Sequence, residues 1–442
     1  MTRLLTHLRP TLFALALLGT NTNTALPAES WSQWRGPFFN GSSDERNLPV
    51  TFSKTENVLW VADLPGPSAA TPVVRGSTVF VSTTDKRTRT LQAMALEVGR
   101  GKVRWQHKVS EGYGQDDRAN YAGPSPACDD QRVVFYYGNG ALAAFALDGQ
   151  PLWATNVGPF AFLWTYSTSP LLFQGRLYIQ ILQRNVPVNG RSSRDGRNVP
   201  YLLALDPATG QELWRAVRPS EAREESREAF TTPIPCTQAG KTEILVVGGD
   251  CLTGHDWETG KELWRWGTWN PTRIGHWRLV PSPVAGAGVA LACAPKGGAV
   301  YAVKLGQQGN LDDSALAWKS TDREISSDVS TPLFYKDRFY VLNSDRRSLA
   351  CLEPATGKVL WTGKLESRAK IEASPTGADD KIYAINHRGD VFVLAAGDEF
   401  KLLHTVEMGD EDDKMVRSSI VPAGSSLFIR TESKLYRIGA VK

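Results

Sequence analysis

The stretch ALDPATGQELW at 204–214 limits what this chain can fold into more than any other. It reads as the end of one strand, a tight turn and the start of the next strand. Asp206, Pro207 and Thr209 supply turn chemistry, and Gly210 can take a positive φ that a side chain would resist. The flanking residues are apolar and β-prone, and Trp214 closes the unit. Related stretches recur at 254–264 (GHDWETGKELW), 351–361 (CLEPATGKVLW) and 95–105 (ALEVGRGKVRW). AFALDGQPLW, ending at Trp153, is the same hairpin with a shorter turn. One sequence idea is being repeated, which points to a repeat architecture before any single residue is considered.

The repeat extends to four strands. Each unit opens on Ser/Thr-Pro and an apolar run: Thr71-Pro72, Ser125-Pro126, Ser169-Pro170, Thr232-Pro233, Ser282-Pro283, Thr331-Pro332 and Ser374-Pro375. An eighth opening, Ser418-Ser419, has Ile420 where the proline would stand. A second and third strand follow, then the hairpin and its Trp. The closing positions are Trp60, Trp105, Trp153, Trp214, Trp264, Trp318 and Trp361, with His404 in the eighth, and they lie 43 to 61 residues apart. Propeller blades repeat at such spacings once insertions are added. The strand at Trp60 has no blade before it, and the last strands, 418–439, have no Trp-strand after them. Pairing the two closes a ring and leaves no long exposed edge. The expected fold is all-β, a single eight-bladed β-propeller of four-stranded antiparallel blades closed by an N-terminal strand on the C-terminal ones. The repeated Trp is read as filler between blades, since an indole buries on the order of 150–250 Å².

Composition narrows the setting. With 41% hydrophobic and 22% charged residues among 442, the chain is an ordinary globular one. Residues 1–28 have the form of a signal peptide: Arg3 and Arg9, then the apolar run TLFALALLG at 11–19, with Ala25 or Ala28 for cleavage. A membrane anchor is the competing reading, but so short a run would span only about half the hydrocarbon core. The expected domains are therefore a signal peptide at 1–28, an N-terminal arm at 29–56 and the propeller at 57–442. Removing Arg3 and Arg9 lowers the net charge from +4 to about +2, so no basic excess is left to attract nucleic acid. The expectation is an exported monomer, periplasmic or secreted, that does not span a membrane. Cys128, Cys236, Cys251, Cys293 and Cys351 show no CxxC pairing; at most two disulfides could form, and small core residues is the preferred reading.

The A-x-D-x-x-T-G-x-x-x-W pattern, complete at 204–214, resembles the repeat of the pyrroloquinoline-quinone-like propellers. That superfamily holds the quinoprotein alcohol dehydrogenases and the propeller lipoprotein of the outer-membrane β-barrel assembly machinery. The resemblance runs from Trp60 to the C-terminus and implies the fold more firmly than the function. The WSQWRGP arm at 31–37 is similar to the start of many exported bacterial proteins of this type. The chain departs from both groups. No two cysteines are adjacent, there is no CxxCH segment, and no motif matches the calcium ligands or catalytic Asp of the dehydrogenases. The first cysteine is Cys128, so no cysteine is placed to carry a lipid at the signal cleavage site.

Other chemistry is sought and fails on context. GNGALA at 138–143 follows a strand, but a second strand-like segment and a Gly turn come next instead of a helix. Gly240-Lys241-Thr242 has strands on both sides and Pro235 in place of the first P-loop glycine. His107, His255, His276, His387 and His404 lie far apart, with no metal-ligand spacing. Asp410 to Asp413 form half a calcium loop that Lys414 and a missing downstream Gly and Glu spoil. No catalytic residue and no metal site are expected.

The insertions carry more. In a meandering blade, the blade-to-blade connections and the second-to-third-strand loops emerge on one face. The long insertions, 111–121, 158–166, 184–200, 219–230, 265–278 and 408–417, fall mostly there. That face should carry Tyr113, Arg118, Tyr121, Trp164, Tyr166, Trp266, Trp269, Arg273, His276, Trp277 and Arg278. For any one of them, packing onto the rim is an equal alternative; the face as a whole is read as a recognition surface. The expected function is a non-catalytic exported propeller that binds a protein or polymeric ligand through this face. The alternative is a dehydrogenase dependent on pyrroloquinoline quinone and calcium, with its cofactor on the axis near Arg273, Trp277 or Arg118. A third option is binding or cleavage of a carbohydrate, which aromatic platforms could serve.

Overall fold

A computed structural model describes residues 30–440. The expected signal peptide, 1–28, lies outside the described residues. Eight antiparallel sheets follow one another along the chain and form the blades of a closed ring. In blade 1 the strands are Val73–Arg75, Thr78–Asp85, Thr90–Glu97 and Val103–Glu111, and the same meander repeats at 127–156, 171–217, 234–266, 284–320, 333–364 and 376–407. Blade 8 combines Val421–Ala423, Ser426–Arg430 and Lys434–Ile438 with Val58–Asp63 from the other end of the chain. Val61 pairs with Tyr436 in that junction. The ring closes as the two incomplete units require.

First strands of successive blades touch one another, so they line the axis. The second and third strands of each blade are buried almost throughout, as in TVFVSTTD and TLQAMALE of blade 1. Outer strands alternate between exposure and partial burial, as in VLWVAD. Apolar side chains on facing sheets then fill each gap between blades.

The repeat locks each gap through its Trp and its turn Gly. The indole N–H of Trp60 donates to Val98 O at 2.7 Å, Trp105 to Leu147 O at 3.2 Å, Trp153 to Pro207 O at 2.9 Å, Trp318 to Pro354 O at 2.7 Å and Trp361 to Gly397 O at 2.8 Å. Each acceptor sits in the hairpin turn of the next blade. The same ring presses on the turn glycine: a Cβ on Gly210, at φ +73°, would lie 2.6 Å from Trp153. Gly101, Gly149, Gly260 and Gly357 meet the preceding Trp in the same way. The T-G of the repeat is thus one half of an interblade contact, and the W is the other.

Two locks differ. His404 stands where the eighth Trp would be and meets Phe52 instead, its Nε2–H donating to Phe52 O over 3.2 Å. Blade 8's outer hairpin is split between the chain ends, so no turn is there to meet. Trp264 donates to Glu243 Oε2 of its own blade at 2.6 Å. The next turn has grown into an excursion whose strand Gly309–Leu311 adds in parallel to the outer edge of Glu262–Trp266.

Candidate functional site

The Ser/Thr-Pro openings converge on the axis and form a ring of hydroxyls. The N–H of Thr71 donates to Ser125 Oγ, Ser125 to Ser169, Ser169 to Thr232, Thr232 to Ser282, Ser282 to Thr331, and Thr331 to Ser374, all at 2.8–3.1 Å. Ser419 N closes the circle onto Thr71 Oγ1 at 3.1 Å. At the seam between blades 7 and 8 the bond takes another form, from Ser419 Oγ to Ser374 O at 3.0 Å. Away from that seam, each opening residue gives its amide to one neighbour and its hydroxyl oxygen to the other. This ring is the waist of the molecule.

On one side of the waist the arm crosses the axis. Strand Ser30–Trp31 pairs with Val73–Arg75 of blade 1. Ser32 O accepts from Cys128 N, Gln33 Oε1 from Leu172 N and Asn40 O from Phe334 N. Ser42 bridges to Gly377 of blade 7. Arg35, 1% exposed, donates to Pro375 O at 2.9 Å and Pro332 O at 2.8 Å. Burial pulls its guanidinium down to about 9. The arm ties five blades together across the axis.

On the other side the channel opens into a funnel of about 690 Å³, whose wall includes the hydroxyl ring and the half-buried ring of Trp34. Seven basic side chains line it, Arg118, Arg278, Lys296, Arg323, Arg346, Lys370 and Arg417, against three acidic ones, Asp328, Asp345 and Glu372. Glu372 is held by Arg417 Nε at 2.7 Å and His387 Nε2 at 2.9 Å. Burial opposes its ionisation, but the His387 and Arg417 contacts prevail and bring its carboxyl down to about 2. Lys370 pairs with Asp345 at 2.8 Å, and Asp328 accepts from Lys296 N at 2.6 Å. Arg278 pairs with Glu225, and Arg346 with Glu324. Among the described residues, the side chains of Arg118, Lys296 and Arg323 have no carboxylate partner, and all three are exposed to the funnel's solvent. Arg118 instead lies over the Trp164 ring, 5.3 Å from its centroid. Trp164 is in turn fixed by its indole N–H to Glu225 Oε1 at 3.1 Å.

Behind Trp164 lies Glu228, fully buried, which accepts from Leu163 N at 3.1 Å and from Arg184 Nε at 2.6 Å. It fastens the 158–166 connection to the start of the 184–200 loop. Burial pushes its carboxyl up to about 7, because Arg184 and the Leu163 amide offset desolvation only in part.

Of the residues expected on the recognition face, the funnel gathers Arg118, Trp164 and Arg278. Tyr166, Trp266 and Trp269 are corrected: they are buried and offer no surface. Trp266 ends the outer strand of blade 4 and packs on Tyr301 of blade 5 at 4.9 Å, with Trp269 beside it at 5.4 Å. They fill the gap that the diverted Trp264 lock leaves. Tyr166 donates to Gln180 O and packs among Tyr136, Phe160 and Phe162. Tyr121 is half-buried against Gly114 and Gly138, and Tyr113 is half-buried as well. Arg273 reaches towards Asp250 at 4.0 Å, His276 is exposed, and Trp277 packs against the blade 4 core. Lys296, Arg323, Asp328, Lys370, Glu372 and Arg417 were not among the sequence candidates. Most stand a few residues before a Ser/Thr opening, and that position is the signal that marks them.

The donor set bears on a calcium-held quinone. Among the described residues no group of three or more His, Cys, Asp or Glu is placed to hold a metal ion. Each funnel carboxylate already faces a cation or an amide, and all five cysteines are free, four of them buried. No chemical step is derived through such a group.

An eight-bladed ring with Trp-locked hairpins and an open axial funnel defines a propeller of the PQQ-repeat class. Its family is the one described as outer membrane protein assembly factor BamB, whose profile matches 42–180, 163–315 and 309–438; the chain belongs to that family. Among solved structures, BamB from Moraxella catarrhalis is 12% identical with a TM-score of 0.57, over 87% of this chain and 97% of that one. A europium-containing methanol dehydrogenase is 10% identical with a TM-score of 0.68, over 93% and 98%. Quinohemoprotein alcohol dehydrogenase from Comamonas testosteroni is 12% identical with a TM-score of 0.62, over 95% and 82%. At such identities the likeness is one of fold. No curated protein sequence matches the chain. Among the described residues no helix is long and apolar enough to cross a membrane.

Proposed function

We propose that this protein is an exported, non-catalytic binding propeller whose axial funnel takes an acidic segment of a partner protein. The observation that carries the reading is the funnel's charge: seven cations against three acids, with Arg118, Lys296 and Arg323 lacking a carboxylate partner among the described residues. Guanidinium and ammonium groups converging on one concave site raise the local concentration of an anionic ligand and grip its carboxylates. The Trp34 and Trp164 rings supply apolar contact beside those charges. A protein partner accords with the family description, an assembly factor. Export rests on the form of residues 1–28.

Titration of the purified protein with hexaglutamate tests the reading. Saturable binding is expected in dilute salt, with hexalysine inert. The variant Arg118→Ala/Lys296→Ala/Arg323→Ala should weaken it at least about tenfold, and raising salt tenfold should do the same, since charges beyond a Debye length of about 8–10 Å are screened. No hexaglutamate binding, together with saturable uptake of pyrroloquinoline quinone and calcium and dye-linked oxidation of an alcohol or sugar, would replace this reading by the dehydrogenase one.

A further inference from the structure

Arg430, at the end of Ser426–Arg430 in blade 8, is 1% exposed and has no carboxylate partner among the described residues. Arg218, equally buried, directs its donors to the carbonyls of Val246, Gly248 and Cys251 and the hydroxyl of Thr253. Arg430 does not achieve this. Its Nη1 donates to Ser82 O at 2.7 Å and Ala70 O at 3.4 Å, but its Nε and Nη2 meet nothing.

Those two nitrogens form one edge of the guanidinium, the edge that grips carboxylates elsewhere in this chain. Arg215 holds Glu212, Arg265 holds Glu262 and Arg338 holds Asp398 through Nε and Nη2 together. Arg368 holds Asp390 in the same fashion. In Arg430 that fork is presented inside the protein. Two fully buried hydroxyls from neighbouring blades lie close by, Ser82 Oγ of blade 1 and Tyr137 OH at the end of the second strand of blade 2; they face each other and neither has another partner among the described residues. Burial pushes the Tyr137 hydroxyl well above its usual range, so it stays protonated and brings a donor but no charge to Arg430. Burial pulls the guanidinium down to about 9. A desolvated cation with an open bidentate edge and two open hydroxyls is what a small buried anion requires. A water molecule could bond to these donors but would leave the charge uncompensated.

We propose that Arg430 Nε and Nη2, the Tyr137 hydroxyl and the Ser82 hydroxyl bind a small monovalent anion, chloride being the simplest. The site joins blades 8, 1 and 2, and blade 8 is the one in which the two ends of the chain pair. The anion therefore contributes to ring closure, and it is separate from the axial funnel.

The test is thermal unfolding of the full chain at constant ionic strength, in sodium chloride and sodium bromide against sodium gluconate. Crystals soaked in bromide supply the position. A saturable rise in Tm with either halide is expected, with anomalous density within bonding distance of Arg430. Arg430→Met should abolish the halide response. Should that variant fail to fold, Tyr137→Phe and Ser82→Ala keep the guanidinium, and each should raise the chloride midpoint about tenfold, as befits loss of one bond to an ion. Equal Tm in chloride and gluconate with no bromide density at Arg430 overturns the proposal in favour of water. Halide density elsewhere, with a response that Arg430→Met, Tyr137→Phe and Ser82→Ala leave unchanged, overturns it too.

Discussion

Gly210 and Gly76 both have positive φ, at +73° and +52°, yet only Gly210 faces an indole. An alanine at Gly76 meets nothing within 4 Å, so Gly76→Ala should cost only the left-handed backbone penalty, about 1–2 kcal/mol. Gly210→Ala adds a clash with Trp153 and should cost several kcal/mol, read as a larger fall in the urea midpoint. Carboxyls of the funnel wall make the second prediction, on pH. Glu372 is held down at about 2 against an ordinary 4.5, so its contribution is complete above about 4.5 and is lost as pH falls from there towards 2. Glu228 has the opposite sign: held up at about 7, it favours the folded state when protonated, and stability declines as pH rises from about 4.5 to about 7. Glu372→Gln should flatten the acid limb of the stability curve and Glu228→Gln the neutral one, each worth on the order of 3 kcal/mol before solvent relaxation. Calorimetric Tm measured across pH 2–8 separates the two. Neither value was legible from sequence, because Arg417 and His387 meet Glu372 only through the fold.

At the scale of strands and turns, the sequence was most informative. The turn Gly and the closing Trp repeat because each is half of one contact, and a contact made at five of the eight gaps around the ring leaves a period. The Ser/Thr-Pro openings were legible as blade starts but not as a bonded ring, since each hydroxyl serves an amide in another blade, 54 residues away for Thr71 and Ser125. Ser282→Ala, outside the funnel lining, would strand the Thr232 amide in a buried position and should cost about 1–3 kcal/mol without altering hexaglutamate affinity. Chemical denaturation with a parallel titration checks both halves of that prediction. The misreading of Trp266 and Trp269 has a similar cause. The repeat ends at Trp264, so WRWGTW reads as loop, whereas every outer strand runs two or more residues past that position, and here the continuation carries Trp266 onto Tyr301 of the next blade. Lys296, Arg323, Arg346, Lys370 and Arg417 escaped notice because they come from different blades and connections, at no fixed spacing.

For the molecule as a whole, the arm matters most. WSQWRGP has no period, and its partners lie across the axis, so nothing local announced its place. Arg35 and Trp34 are adjacent in sequence but face different tasks. Arg35→Ala leaves the Pro332 and Pro375 carbonyls without their donor and should destabilise the ring by about 1–3 kcal/mol per buried acceptor. Trp34→Ala should leave unfolding little changed and weaken hexaglutamate binding severalfold; urea unfolding and titration of the same two variants show the split. The arm also sets a timetable. Of the described residues these are the first to be synthesised, yet Pro332 and Pro375 follow roughly 300 residues later, and Val58–Asp63 waits for Lys434–Ile438. Order of synthesis and order of assembly run in opposite directions. A chain delivered from its N-terminus keeps an unpaired strand and a Trp-rich segment open until its final hairpin emerges, and for that whole interval a chaperone has something to hold.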